Sequence, residues 1–114
     1  MIYNMFIDDE RMPPGTDFWI IVRNFADVQE AVSNWGCPQQ ISFDHDLGDG
    51  EPTGYDIAHW LVEADMNAVG AFIPADFTFV VHSMNPIGAA NIQGLLDNYL
   101  SHRTLSEKIV LGTN

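Results

Sequence analysis

Ile41-Ser42-Phe43-Asp44-His45-Asp46-Leu47-Gly48-Asp49-Gly50-Glu51-Pro52-Thr53-Gly54-Tyr55 is the stretch on which the reading of the chain turns. Its β-branched and aromatic start reads as a buried strand, and it empties abruptly into acids, one histidine and glycines before a helical pattern begins. Four carboxylates, Asp44, Asp46, Asp49 and Glu51, fall within eight residues. At about 5 Å and an effective dielectric of about 20, each pair repels by on the order of 3 kcal/mol. A positive group is expected there.

Composition bounds what surrounds this stretch. With 114 residues and 46% apolar content the chain can build one core, so residues 1–114 are expected to form a single domain. Sixteen acidic against four basic residues give a formal charge of -12. That balance argues against general DNA, RNA or anionic-membrane binding. The N-terminus has no basic region followed by a long apolar stretch, and no window approaches the length of a membrane span, which reads as a soluble, cytoplasmic protein. The single cysteine, Cys37, excludes an internal disulfide and a thiolate zinc cluster, and reads as a small buried filler near a helix end.

Outward from the central stretch, Ile2 to Ile7 is a short β-prone run ending in Asp8-Asp9-Glu10-Arg11. Prolines and a glycine make 12–17 a loop, and Phe18 to Val22 reads as a second strand. Asn24 can cap a helix carrying Phe25, Val28, Ala31, Val32 and Trp35, stopped by Gly36 and Pro38. Thr53 is a cap for a helix over Tyr55 to Ala64, with Asp56, His59 and Glu63 on its solvated side. Phe77 to Val81 makes a fourth strand ending in His82-Ser83, and Asn85-Pro86 opens a helix bearing Ile87, Ala90, Leu95, Tyr99 and Leu100. Lys108 to Leu111 reads as a fifth strand.

Strands alternating with helices predict a three-layer α/β fold: an open, mostly parallel five-stranded sheet with helices on both faces. The first crossover helix is reduced to a loop. That connection is near the lower limit for a parallel crossover, so the direction of the second strand stays open. Ligands of such sheets bind beyond the carboxyl ends of the strands. If the first, third and fourth strands are neighbours, Asp8 and Asp9, Asp44 to Asp46, and His82 and Ser83 meet at one edge. Clustered carboxylates there suit a hard divalent cation, Mg²⁺ or Mn²⁺, completed by waters and a substrate phosphate. Backbone N–H groups of Ile87, Gly88 and Ala89 could receive the phosphoryl group from the other side. The plainer reading makes these acids helix caps and turn formers. The stretch from Asp44 fails as a calcium loop, because Gly48 and Asp49 occupy positions that need an oxygen ligand and a glycine. The glycines are wrongly spaced for a dinucleotide fingerprint, and His45 and His82 lack the spacing of the usual zinc hydrolase.

Phe6-Ile7-Asp8-Asp9-Glu10-Arg11-Met12-Pro13-Pro14, Ile41 to Gly48, Thr53-Gly54-Tyr55-Asp56 and Val81-His82-Ser83-Met84-Asn85-Pro86-Ile87-Gly88 together resemble the cyclic-phosphate processing receiver-like domains, relatives of response-regulator receivers. The resemblance implies a flavodoxin-like receiver fold and metal-assisted processing of cyclic phosphates on nucleotides or RNA ends. By it, Asp8 and Asp9 match the metal-binding acidic pair, and Asp44 the strand-three acid, with Asp46 as the competing match. Ser83 matches the hydroxyl residue ending strand four, and His45 and His82 are marks of this branch. The lysine that ends strand five of ordinary receivers is absent, since Lys108 lies at the start of that run.

Two main expectations follow. In the first, the protein is a phosphoesterase acting on a cyclic phosphate: Asp8, Asp9, Asp44 and Asp46 supply the metal ligands, and the metal polarises phosphorus and acidifies a bound water. His45 or His82 then carries the proton, with Ser83 and Asp44 in the reacting set, and Arg11, Asn85 and Arg23 hold the ligand. In the second, the chain is a non-enzymatic degenerate receiver-like module that binds a nucleotide or a basic protein partner through its acidic surface. A phosphoacceptor receiver using Asp44 is a third reading.

Overall fold

A computed structural model describes the backbone of residues 2–112 and the side chains of residues 2–103. Seven elements follow one another: β1 (Asn4–Ile7), β2 (Ile20–Val22), α1 (Phe25–Trp35), β3 (Gln40–Phe43), α2 (Gly54–Asn67), β4 (Thr78–Val81) and α3 (Pro86–Gly112). The strands form one sheet in the order β2-β1-β3-β4, and every pairing is parallel, β2 included. Residues 8–19, which join β1 to β2, contain no helix.

Local chemistry explains the helix starts. The Asn24 side chain accepts the Asp27 N–H at 2.9 Å. Thr53 and Asp56 form a reciprocal capping box on α2. Asn85 Oδ1 accepts the Gly88 N–H at 2.9 Å at the head of α3, where Pro86 has no N–H to satisfy. His59 and Glu63 lie exposed at 3.3 Å on the outer side of α2, as expected.

Both helix-containing crossovers, β2-α1-β3 and β3-α2-β4, advance in the same direction across the sheet. Right-handed connections therefore put α1 and α2 on the same face. Phe25 of α1 meets Trp60 of α2 edge to face at 5.5 Å, and α3 packs on α2. The strand pairing turns Met5, Ile7, Val22, Ile41 and Phe43 toward these helices, where they join Val28, Ile57, Leu61, Ile92 and Leu96 in one buried cluster. Among the described residues the opposite face carries no helix. Phe6 is buried there by Trp19, at 5.9 Å between rings, and by the His82 ring stacked on it at 4.5 Å, while Val80 remains half exposed.

Two expectations are corrected. Among the described residues the helices flank one face: residues 8–19, the one crossover that runs the other way across the sheet, carry two prolines and a glycine and form no helix there. The sheet has four strands, because Lys108 to Leu111 continues α3. Between Gly94 and Gly112 no proline or glycine interrupts the helix, so local β-branching does not end it. No helix among the described residues is long and apolar enough to cross a membrane.

A buried polar knot fixes the approach to β4. Asp65, fully buried at the end of α2, accepts the N–H groups of Phe72 and Ile73 at 3.0 and 2.7 Å and the Tyr99 hydroxyl at 2.6 Å. The guanidinium of Arg103 lies 3.7 Å away and donates to the carbonyls of Ile73 and Pro74.

Candidate functional site

With β1, β3 and β4 adjacent and parallel, their carboxyl ends share one edge of the sheet. Asp8 follows β1, Asp44 follows β3 and His82 follows β4, each one residue past its strand. One ligand atom from each lies within 4.8 Å of the others. At that separation two ionised carboxylates repel by roughly 3 kcal/mol in an effective dielectric of about 20. The arrangement favours a cation.

Asp8 is almost fully buried. Its Oδ1 accepts the N–H groups of Glu10 and Arg11 at 2.9 and 2.8 Å, which folds the start of the loop around the carboxylate. Its Oδ2 faces His82 Nε2 at 3.0 Å and Arg11 Nε at 3.6 Å. Burial pushes the Asp8 pKa up, but the two N–H bonds and the His82 ring outweigh it, and the pKa lies below the ordinary value. Asp44, also buried, accepts the His45 N–H at 2.8 Å on one oxygen; the other accepts no hydrogen bond among the described residues. Burial raises its pKa, the charge of Asp8 adds to this, and the His45 N–H bond opposes it without cancelling it.

His82 is engaged through both ring nitrogens, Nε2 by Asp8 and Nδ1 by Ser42 Oγ at 2.8 Å. With Asp8 ionised, Nε2–H donates to it, and Nδ1 faces the Ser42 hydroxyl. Ser42 was not among the residues expected to matter. It is buried beneath the ring, and its signal was a hydroxyl set between two apolar residues, Ile41 and Phe43. Such a Ser-His-Asp chain invites a nucleophile reading, which the burial of Ser42 rules out.

His45 sits outside this cluster. Its Nδ1 lies 2.9 Å from Asp46 Oδ1 and 3.5 Å from Asn85 Nδ2; the shorter contact to a charge assigns the proton to Nδ1 and leaves Nε2 as acceptor. The hydrogen bond from His45 holds the Asp46 pKa below its ordinary value. The ring lies against Gly88, where a Cβ would come within 2.3 Å of it.

The remaining expected residues divide. Asp9, Arg11, Asp46 and Ser83 line a cleft of about 310 Å³ together with Asp8 and Asp44, but Asp9 and Asp46 are not part of the three-residue cluster. Ser83 Oγ accepts the Asn85 N–H at 3.0 Å. Arg23 is turned to the loop: its Nη1 donates to the carbonyls of Asp8 and Arg11, both at 2.8 Å. Asn85 is committed to capping α3. The Gly88 and Ala89 N–H groups, expected to meet phosphate, bond to the Asn85 side chain and carbonyl.

Asp8 and Asp44 bring carboxylate oxygens within 4.8 Å of each other, an oxygen donor pair that a hard divalent cation accepts, and His82 braces Asp8 beside them, so the residues present fit the metal expected from the sequence. Residues 3–98 match the family model of the cyclic-phosphate processing receiver domain. No curated protein and no solved structure matches the chain.

Proposed function

The chain belongs to the family of cyclic-phosphate processing receiver domains, and from that premise we propose that it is a receiver-like binding module. It holds a phosphorylated ligand, a cyclic nucleotide or an RNA end, through Mg²⁺ or Mn²⁺ on Asp8 and Asp44. The convergence of Asp8, Asp44 and His82 from separate strand ends carries this reading. When bound, the cation supplies the positive charge that attracts phosphoryl oxygens into an acidic cleft. Arg11, half exposed beside Asp8, adds a second positive group at the mouth. Binding is favoured over turnover because two of the groups expected in the reacting set are occupied. His82 is held at both nitrogens, and the Ser83 hydroxyl oxygen is taken up by a backbone N–H.

Calorimetric titration of Mg²⁺ and Mn²⁺ into the native protein, Asp8→Asn and Asp44→Asn is the test, followed by a 2′,3′-cyclic nucleotide with and without metal. Saturable metal binding absent from both variants, and nucleotide binding that requires metal, are expected. Metal binding that survives both substitutions refutes the reading.

One observation favours a phosphoesterase instead. His45, oriented by Asp46, keeps Nε2 as a proton acceptor while its side chain is 17% exposed. Phosphorus NMR separates the two readings: conversion of the cyclic diester to a monoester, abolished in His45→Ala with metal affinity unchanged, would select the enzyme.

A further inference from the structure

The strand order leaves β2 at one edge of the sheet. Val22 accepts the Asp8 N–H, so the backbone groups of Val22 and Ile20 point toward β1 and those of Ile21 point outward. Among the described residues the N–H and C=O of Ile21 have no partner. Because β2 and β3 are parallel, α1 must run back along β2. A groove of about 260 Å³ lies between them, with Ile20 and Ile21 along one side and Asp27, Glu30 and Trp35 along the other. From Asp27 to Trp35 the helix rises about 12 Å, the length of three to four residues of extended chain.

The chemistry of the groove selects its occupant. Glu30 is exposed and makes no hydrogen bond or ion pair among the described residues. Asp27 gives one oxygen to the Arg23 N–H at 3.0 Å, and its other oxygen remains for a ligand. Trp35, 40% exposed and braced edge to face by Tyr3 at 5.8 Å, offers a ring surface on which a guanidinium or a lysine stem can lie. A second copy of a chain with a charge of -12 is repelled; a cationic segment is attracted. We propose that the groove between β2 and α1 takes an extended basic segment of a protein partner, added as a strand beside β2, with its Arg or Lys side chains toward Glu30 and Asp27. The proposal uses none of the residues of the Asp8–Asp44–His82 cluster, and it stands or falls separately from the metal reading.

The probe is the peptide acetyl-Arg-Val-Arg-Val-Arg-amide titrated into the isotope-labelled full chain and followed by amide NMR. A second peptide, identical except for N-methylation of the central amide, keeps the charge but cannot donate to the Ile21 carbonyl. Shifts centred on Ile20 to Val22 are expected, with the Ile21 amide moving most. N-methylation is expected to weaken binding about fivefold, and Glu30→Gln about threefold. Equal affinity for the two peptides overturns strand addition, as do shifts centred on Asp46 to Glu51. Self-association through Ile21 without peptide would assign the edge to a second copy and overturn the partner.

Discussion

Replacing Gly54 by alanine sets two opposed effects against each other at the site. Gly54 is the first residue of α2, and alanine in a helix is favoured over glycine by up to about 1 kcal/mol. A Cβ on Gly54, however, would stand 1.9 Å from the Asp44 carbonyl oxygen, 3.0 Å from its carbon and 3.2 Å from His45 Cα. The neighbours are backbone, so no side chain can swing aside. The approach must open by about 1.5 Å, from 1.9 Å to the 3.4 Å at which ordinary contact begins, against the Gly54 N–H bond to His45 O at 2.8 Å and the Asp44 N–H bond to Ile7 O at 3.0 Å. Overpacking of this kind costs about 3 kcal/mol. The net expectation is a loss of about 2 kcal/mol in urea unfolding, together with at least tenfold weaker metal binding, because the residue displaced carries the Asp44 carboxylate. Gly94, exposed within α3 with nothing within 4 Å of its Cβ position, is the control. Gly94→Ala should gain about 0.8 kcal/mol. A Gly54→Ala protein as stable as the native one, or a destabilised Gly94→Ala, would refute the reasoning.

Asp65→Asn should cost about 3 kcal/mol in thermal or urea unfolding, since it breaks the buried ion pair with Arg103 and takes the charge from the acceptor of the Phe72 and Ile73 N–H groups and the Tyr99 hydroxyl; a loss under 1 kcal/mol would contradict the described geometry. Asp44→Asn should raise the urea midpoint of the metal-free protein while abolishing metal binding, because it removes a buried charge facing Asp8. Asp8 has a pKa depressed by folding, so its stabilisation is complete above the unfolded-state value and is lost as pH falls through the lower native one. Urea midpoints should therefore drop below about pH 4, and Asp8→Asn should remove that part of the slope. Burial, with the charge of Asp65 adding to it, pushes the Cys37 thiol up to about 12. Cys37 is half-buried, where the sequence suggested a buried filler, and a disulfide reagent at pH 8 should label it well below the rate of the urea-unfolded chain because little thiolate is present; equal rates in the folded and unfolded protein would contradict this.

Sequence chemistry made the local features legible. Asn24, Thr53 and Asn85 act as the caps their side chains suggested, and the acids after the first and third strands do meet a histidine after the fourth. What failed depended on partners distant in the chain. Asp44 and Asp46 looked interchangeable, yet the strand ends at Phe43 and delivers only Asp44 to the cluster, leaving Asp46 to orient His45. Nothing near Asp65 in sequence announces Tyr99 or Arg103. Lys108 to Leu111 has strand composition, but composition alone does not break a helix already under way. The placement of the helices was hidden because a run such as Phe77 to Val81 reads as buried on both sides, although Val80 is half exposed.

The hydrogen bond between Asp8 and His82 joins residues 74 apart, and this separation has a kinetic meaning. A growing chain completes β1 early, but the Asp8–Asp44–His82 cluster cannot exist until β4 has docked beside β3, after most of the sheet is in place. Partly folded forms lacking β4 leave Asp8 without its imidazole partner. The contact therefore acts on the last assembly step and on global unfolding together, slowing escape from the native state without helping its early formation.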